Sequence, residues 1–426
     1  MDHLRARALV RDHAGRGIAV TSRSQRSRLA VISPFLDKRH GTERRVVEWV
    51  SRLADRFEIH IYSQHVEDLD LSKVTWHRIP KLPGPHILNF VWWVAANHFW
   101  RSWDQRVRGL RHDLIFSPGI NCLHADAISV HIVFAEYVRQ LGKELSLLRN
   151  PIWIWPTLLH RRLYYRLLVL LERRVYTDPK TVLILIAHKT AAVLERFYGR
   201  IDRFPVLYIG LDHAIFNPER RHTLRGEARR QLGIPDPQFT LVLVGNDWRN
   251  KGVPVLLDAL TKIRDLPINL IIVSREDSSA CQRLIAERRL GDRVKFVPPR
   301  NDIEFYYAAA DTYVGPSLED TFAQPPAEAM ACGLPVIVSS ANGTAEIVTH
   351  GKDGLILTDP ADFTTLAAMI RDLYMNSGFR DQLGSQAART ALEYTWERNS
   401  RELGEIFREI LRRKAGSSTQ TVVEAS

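Results

Sequence analysis

Three carboxylates offer the clearest prospect of chemistry. Asp320 and Glu328 stand eight positions apart, and Glu319 sits beside the first. An apolar run over residues 312–314 ends at Gly315-Pro316-Ser317, which breaks a strand and opens a polar loop carrying the first two acids. Pro325 and Pro326 suit the first turn of a helix, where a missing N–H costs nothing. Residues 327–331 favour helix, Gly333 stops it, and residues 335–338 begin a buried strand. A helix entered this way turns its free N–H groups and positive dipole end into the crevice above a parallel sheet, a good place for phosphate. Acids beside an anion site oppose that ligand unless they grip hydroxyls. Glu328 and Asp320 are spaced to hold a ribose and a second sugar. Taken singly, such acids are more often an acidic helix turn, for Glu328, and a solvated loop acid, for Asp320; it is their spacing before this helix that favours a site.

The same stretch resembles the donor-site signature of retaining, nucleotide-sugar-dependent glycosyltransferases of family 4, written E-x7-E and followed by A-M-A-x-G-x-P-V. Glu328 is the second acid, and Ala329-Met330-Ala331-Cys332-Gly333-Leu334-Pro335-Val336 matches the continuation. Asp320 stands where the family has its first Glu, which leaves Asp320 and Glu319 as rival contacts to the donor sugar. Phe322 and Ala323 lie inside the signature and join the donor-binding candidates.

The resemblance extends to other loops. The turn 245–252 is similar to the family's G-R-x4-K-G element, whose cations clamp the diphosphate. Lys251 matches, Asn246 takes the arginine position, and Arg249 is the neighbouring cation offered in its place. Such charges are needed because breaking the bond to the nucleotide builds negative charge on the leaving phosphate, and losing one donor typically costs ~3 kcal/mol in the barrier. The loop His40-Gly41-Thr42-Glu43-Arg44 resembles the glycine-rich loop G-G-x-E-R, with close backbone approach resting on Gly41. Ser129-Val130-His131 resembles the strand whose histidine faces the donor sugar; His124 is a nearby rival, and a satisfied core histidine is the plainer alternative. The loops near Ser274 and Pro298 resemble those that hold the base.

The resemblance implies a GT-B fold: two doubly wound, Rossmann-like α/β domains facing an interdomain cleft. The residues themselves support α/β units. Strands are expected at 29–33, 57–62, 114–117, 127–133 and 181–186 in the first half, and at 239–244, 269–273 and 294–297 in the second. Helices are expected at 189–198, 225–232, 305–310 and 396–411. The expected division is a basic, disordered arm over 1–28, an acceptor-side domain over 29–209, a nucleotide-sugar domain over 210–395, a helix at 396–412 returning to the first domain, and a loose tail over 413–426. Gly210, in the crossing 205–212, is expected to need a backbone conformation closed to other residues.

Composition narrows the classes. A chain of 426 residues with 45% hydrophobic content can bury two cores. Its three cysteines have no metal or disulfide spacing, which fits a reducing, cytoplasmic setting. No apolar run reaches the length of a membrane span. The net charge of +11 favours anionic partners, with phosphates and an anionic membrane face ahead of nucleic acid, for which no binding module accompanies the charge. Residues 88–103 and 151–176 mix aromatics with arginines. That is the composition of an interfacial helix on anionic lipid, and equally of a helix packed under a sheet. The family implies a metal-independent retaining transferase with no cofactor beyond its nucleotide diphosphate-sugar and a glycan, lipid-linked or polysaccharide acceptor. A nucleotide-sugar epimerase or hydrolase, or a non-catalytic sugar-nucleotide or nucleic-acid binding protein, is the alternative.

Overall fold

The computed structural model describes residues 26–38, 41–142 and 145–423, with side chains to 416 and the backbone of two short paired strands, Val10–Arg11 and Gly17–Ile18. Most of the expected basic arm therefore lies outside the described residues, as does His40. Arg28 already belongs to the first strand of the main sheet.

Buried β-branched and leucine runs, each closed by Gly, Pro or a polar residue, form two parallel sheets. The first contains β1 (Arg28–Ile32), β2 (Glu58–Ser63), β3 (Thr75–Arg78), β4 (Leu114–Pro118), β5 (Ala127–Val130) and β6 (Val182–Leu185), in the order β6-β5-β4-β1-β2-β3. The second contains β7 (Phe239–Val244), β8 (Ile268–Val273), β9 (Val294–Val297), β10 (Thr312–Gly315), β11 (Val336–Ser339) and β12 (Leu355–Leu357), in the order β9-β8-β7-β10-β11-β12. Both are the doubly wound arrangement, with the strand order reversing between first and fourth strands. Loops leaving the C-terminal ends of those strands border the crevice between the sheets.

Alternation along the strands sends side chains to opposite layers. In the first domain, Leu29, Val31, Ile59 and Ile61 pack towards α1 (Gly41–Leu53), while Ala30, Ile32, Tyr62 and Val130 pack towards α2 (His86–Val107), α4 (Trp155–Tyr176) and α5 (Lys189–Tyr198). A short α3 (Phe134–Gln140) follows β5. The second domain adds α6 (Pro218–Leu232), α7 (Val253–Lys262), α8 (Ser279–Glu287), α9 (Glu304–Ala309), α10 (Gln324–Ala331), α11 (Phe363–Met375) and α12 (Ser377–Ala391). One core cluster runs through both domains, from Val46 and Phe116 through Ile186, Leu207 and Phe322 to Val336.

The last helix, α13 (Trp396–Val423), returns to the first domain. The Trp49 indole donates to Asn399 Oδ1, and Phe57 meets Phe407 edge-on at 6.0 Å. Gly210 is needed for a different reason than expected. Its φ lies outside the left-handed region, but a Cβ there would stand 2.6 Å from the Cα of Trp396, where α13 begins. The expected loose tail is also corrected: helix continues from 411 to Val423, carried through residues 412–415 by good helix formers and then on through Gly416 and a serine, threonine and valine stretch of low helix propensity. The strand expected over 127–133 stops at Val130, freeing His131 from the sheet. Among the described residues, no helix is long and apolar enough to cross a membrane.

Candidate active site

A cavity of about 800 Å³ lies between the domains, and Gly41, His131, Arg249, Lys251, Glu319, Asp320, Phe322 and Ala323 all line it. Sequence positions more than two hundred residues apart thus meet, because each sits on a loop at the C-terminal edge of its sheet.

The second-domain wall is built by β7, β10 and α10. After β7 the chain turns through residues 245–252 to enter α7. Gly252 permits this turn: its φ is +79°, and a Cβ would stand 2.0 Å from the Pro316 carbonyl oxygen. The loop therefore lies tight against the one after β10, and the Lys251 ammonium forms an ion pair with the Asp320 carboxylate. Asn250 fixes the same junction by donating to the Glu319 carbonyl at 2.7 Å. Arg249 stacks its guanidinium 4.3 Å from the centre of the buried Trp248 ring, leaving its charged edge at the cavity. Asn246 lines the cavity too, but its Oδ1 accepts from the backbone of Arg275. Ala323 caps α10 in extended conformation, and its N–H donates to Asn342 Oδ1 at 3.2 Å.

Glu328 is set apart from the cavity lining. It is buried one turn into α10, where the Tyr307 hydroxyl donates to Oε2 at 2.9 Å and Arg44 from α1 approaches Oε1 at 3.5 Å. Burial pushes its carboxyl above the usual range; Arg44 and the tyrosine hydroxyl oppose that rise. Asp320 and Glu319 diverge. Asp320 meets Lys251, whereas Glu319 meets the Lys189 ammonium at 2.5 Å. The rivalry between the two acids thus becomes a difference in which cation each faces.

The first-domain wall centres on His131. Ser129 Oγ lies 2.9 Å from Nε2, and Arg45 Nη1 lies 3.4 Å from Nδ1. A guanidinium can only donate, so Nδ1 accepts and Nε2 carries the proton towards Ser129. Burial first, then the Arg45 charge, hold the imidazole well below its ordinary value, so it is neutral at pH 7. Both ring nitrogens are engaged within the protein, so a substrate hydroxyl can claim Nδ1 only as the Arg45 contact opens. His124 does not line the cavity; its carbonyl accepts from Cys122. Gly41 starts α1, and its carbonyl accepts from Gln324 Nε2 at 3.3 Å across the cleft.

Arg45 and Lys189 are the functional candidates that sequence reasoning missed. The Arg45 guanidinium is buried beside His131 and 5.9 Å from the Phe322 ring centre, and its Nε has no hydrogen-bond partner. Burial lowers it to about 10, against the pull of Asp320, so it stays charged. A third consecutive polar residue after Glu43 and Arg44, at a position the helix turns inwards, was the available signal. Lys189 opens α5, where the dipole disfavours a cation. That misplaced charge was its signal. The penalty is offset from the other domain: Glu346 accepts from the backbone N–H groups of His188 and Lys189, both at 2.7 Å, and Glu319 meets the ammonium.

This arrangement can hold a polyanion against Lys251 and Arg249 and hydroxyls against Asp320 and Glu319. Residues 225–390 match the model for glycosyl transferases group 1, and the two facing sheets have the GT-B architecture. More particularly, a D-inositol 3-phosphate glycosyltransferase of Thermomonospora curvata is 29% identical over 258 residues, covering 56% of this chain and 59% of that relative. WaaG, a glycosyltransferase involved in lipopolysaccharide biosynthesis, superposes with a TM-score of 0.70 at 20% identity, covering 89% of this chain and 99% of WaaG. HepE of Anabaena, in complex with UDP-glucose, gives 0.65 at 20% identity over 90% of this chain and 99% of HepE.

Proposed function

We propose that the protein is a retaining glycosyltransferase that moves a sugar from a nucleotide diphosphate-sugar to an acceptor held on the first domain. The observation that carries this reading is the meeting, in one interdomain cavity, of Lys251 and Arg249 with Asp320 and Glu319 opposite His131. In this reading Lys251 and Arg249 take the diphosphate and Asp320 takes the donor sugar with Glu319 as its neighbour, while Glu328, outside the cavity lining, takes the ribose only as its contacts with Tyr307 and Arg44 open. The backbone about Phe322 and Ala323 borders the sugar. Retention, and independence of metal or other cofactor, rest on the resemblance of the E-x7-E stretch. The acceptor hydroxyl attacks from the side that the phosphate leaves, and that phosphate accepts its proton. No protein nucleophile is required. Neutral His131 offers an imidazole nitrogen to a sugar hydroxyl near the reacting carbon.

The acceptor is a glycan or lipid-linked molecule, and the protein works in the cytoplasm at the inner face of the membrane. The name of the curated relative points instead to a phosphorylated polyol. An apolar pocket beside His131, lined by Phe90, Trp93 and Tyr164, favours the lipid-linked acceptor.

The test is a melting-temperature screen against nucleotides and nucleotide sugars, because a ligand of the folded state raises the midpoint. The donor that raises it is then incubated with and without acceptors. Release of nucleotide that needs acceptor and yields the same anomer supports the reading. Equal release without acceptor makes the protein a hydrolase, and binding with no turnover makes it a sugar-nucleotide binding protein.

A further inference from the structure

We infer that the outer faces of α2 and α4 dock the protein on an anionic bilayer, and that the pocket behind them receives the apolar part of the acceptor. The second half of this inference rests on the transferase reading above; the first does not.

The two helices lie side by side on one face of the first sheet. Trp93 and Val94 of α2 and Leu168 and Val175 of α4 enter the same core cluster, and Phe90 meets Tyr164 edge-on at 6.0 Å. Their opposite faces therefore look the same way, out of the protein. On α2 that face presents Leu88, Val91, Phe99, Trp103 and Val107, all exposed and spaced three, four or eight apart, the repeat of a single helical stripe. On α4 it presents Leu159, Leu163 and Leu170. The segment leading into α4 adds Leu148 at 96%, Ile152 at 69% and Trp153 at 78% exposure. Scattered apolar residues are normal on a surface, but stripes continuous along two adjacent helices are not.

Charge selects the occupant. The acids within α2 and α4, Asp104 and Glu172, are both buried, Glu172 bonded to the backbone N–H groups of Phe134 and Ala135. Arg149, Arg166, Arg173 and Arg174 are exposed, and none of them pairs with an acid among the described residues. The face is thus apolar and positive with no exposed acid on either helix. A second copy meeting it across a two-fold axis would set arginines against arginines. Anionic headgroups neutralise them while the acyl boundary takes the leucines and tryptophans.

Phe90 and Trp93 on the inner face of α2 and Tyr164 on that of α4, together with Phe35 and with Phe134 at the start of α3, line a pocket of about 780 Å³. Thr42, His131 and Ile132 border both this pocket and the interdomain cavity. An acceptor whose apolar chain occupies the pocket therefore presents its hydroxyl at His131. An amphiphile supplied from the membrane surface fits this geometry, with the docking face bringing pocket and lipid together.

The full-length protein is sedimented with phosphatidylcholine vesicles with and without phosphatidylglycerol. Binding is expected only with the anionic lipid and is expected to fall at least tenfold in Leu163→Glu/Leu170→Glu and in Trp153→Glu. Each of Arg166→Gln and Arg173→Gln should weaken it about fivefold. Unchanged melting temperatures show that these variants fold. Binding of Leu163→Phe at the wild-type level separates lipid insertion from general damage. A wild-type protein that stays in the supernatant, or glutamate variants that sediment as well as wild type, would overturn the docking face. So would a lipid-free dimer dispersed by the same substitutions. For the pocket, an alkyl glycoside acceptor should show a KM at least tenfold below that of the free sugar, a gap that Phe90→Ala removes. Equal KM values for the two acceptors in wild type would reject the apolar acceptor. Vesicle binding needs no donor, so its failure leaves the transferase reading standing. A missing nucleotide-induced melting shift alongside intact vesicle binding removes only that reading.

Discussion

The two domains share one strand order but differ in what their loops and outer helices are built to do. In the second domain the cavity wall is locked by short-range pairing: Gly252 against Pro316, Asn250 against Glu319, Lys251 against Asp320. Its exposed large apolar residues reduce, among those described, to the isolated Leu318, Met375 and Leu392. The first domain carries its histidine at the frayed end of β5 and leaves apolar stripes uncovered on two long helices. The contrast teaches that one sheet design serves two tasks. A rigid rim suits a ligand with fixed parts, and a greasy, adaptable flank suits a partner that varies.

Substitutions on the two sides should break that comparison unequally. Lys251→Ala should have the largest effect, lowering kcat roughly 10²–10³-fold through lost charge on the leaving phosphate. Steady-state kinetics with the nucleotide sugar that raises the melting point measures it, and an effect confined to acceptor KM would reverse the assignment of the two walls. Glu328→Gln comes next. Losing a charge-assisted hydroxyl contact of ~1.5–3 kcal/mol should weaken donor binding or turnover by about tenfold or more. Wild-type kinetics in this variant would remove the ribose assignment.

On the first-domain side, Arg45→Met should act through pH rather than through donor affinity. The Arg45 charge helps hold the His131 imidazole low, so removing it raises the pH at which that ring protonates. The acid limb of the kcat profile is expected to move upwards, with donor KM unchanged. An unmoved limb would mean that His131 does not titrate in the rate-limiting step.

The smallest effect concerns stability. Burial, then the neighbouring His60 and His77, lower His112 from 6.5 to about 4. Its unfolded form takes up a proton first as the pH falls, so its contribution to stability is whole above 6.5 and is lost progressively down to about 4. The urea midpoint of wild type should therefore fall relative to that of His112→Phe as the pH drops through that window. Parallel curves would show that the histidine cluster beside α2 is not the acid-sensitive part of the first domain.

Legibility in the sequence cut across that divide. The run 239–244 coincides with β7, and 189–198 with α5, because β-branched or amphipathic segments there end at glycine, where the chain must turn. The α10 region was readable from its prolines and Gly333, whose φ of +73° closes the helix. By contrast β3, Thr-Trp-His-Arg, is a half-exposed edge strand whose pairing comes from β2, so no local hydrophobic alternation announces it. In α8 the signal was present but short: Cys281, Leu284 and Ile285 recur at helical spacing within only nine residues. Within the site, the spacing of Asp320 and Glu328 was visible. What was not visible was that Arg44 would meet Glu328 and Lys189 would meet Glu319, since both contacts exist only once two separately folded sheets face each other.

That last kind of contact has a bearing on motion. Glu346 belongs to the second domain yet serves as the N-terminal cap of α5 in the first, and Tyr208 steadies it by donating at 3.0 Å. A hinge that swung the halves apart would strip two amides of their acceptor and leave a lysine facing the unsatisfied end of a helix. A lost cap commonly costs ~1 kcal/mol. The resting molecule is thereby biased towards the shut position, because parting the domains would give up the Glu346 cap and the Lys189–Glu319 pair together.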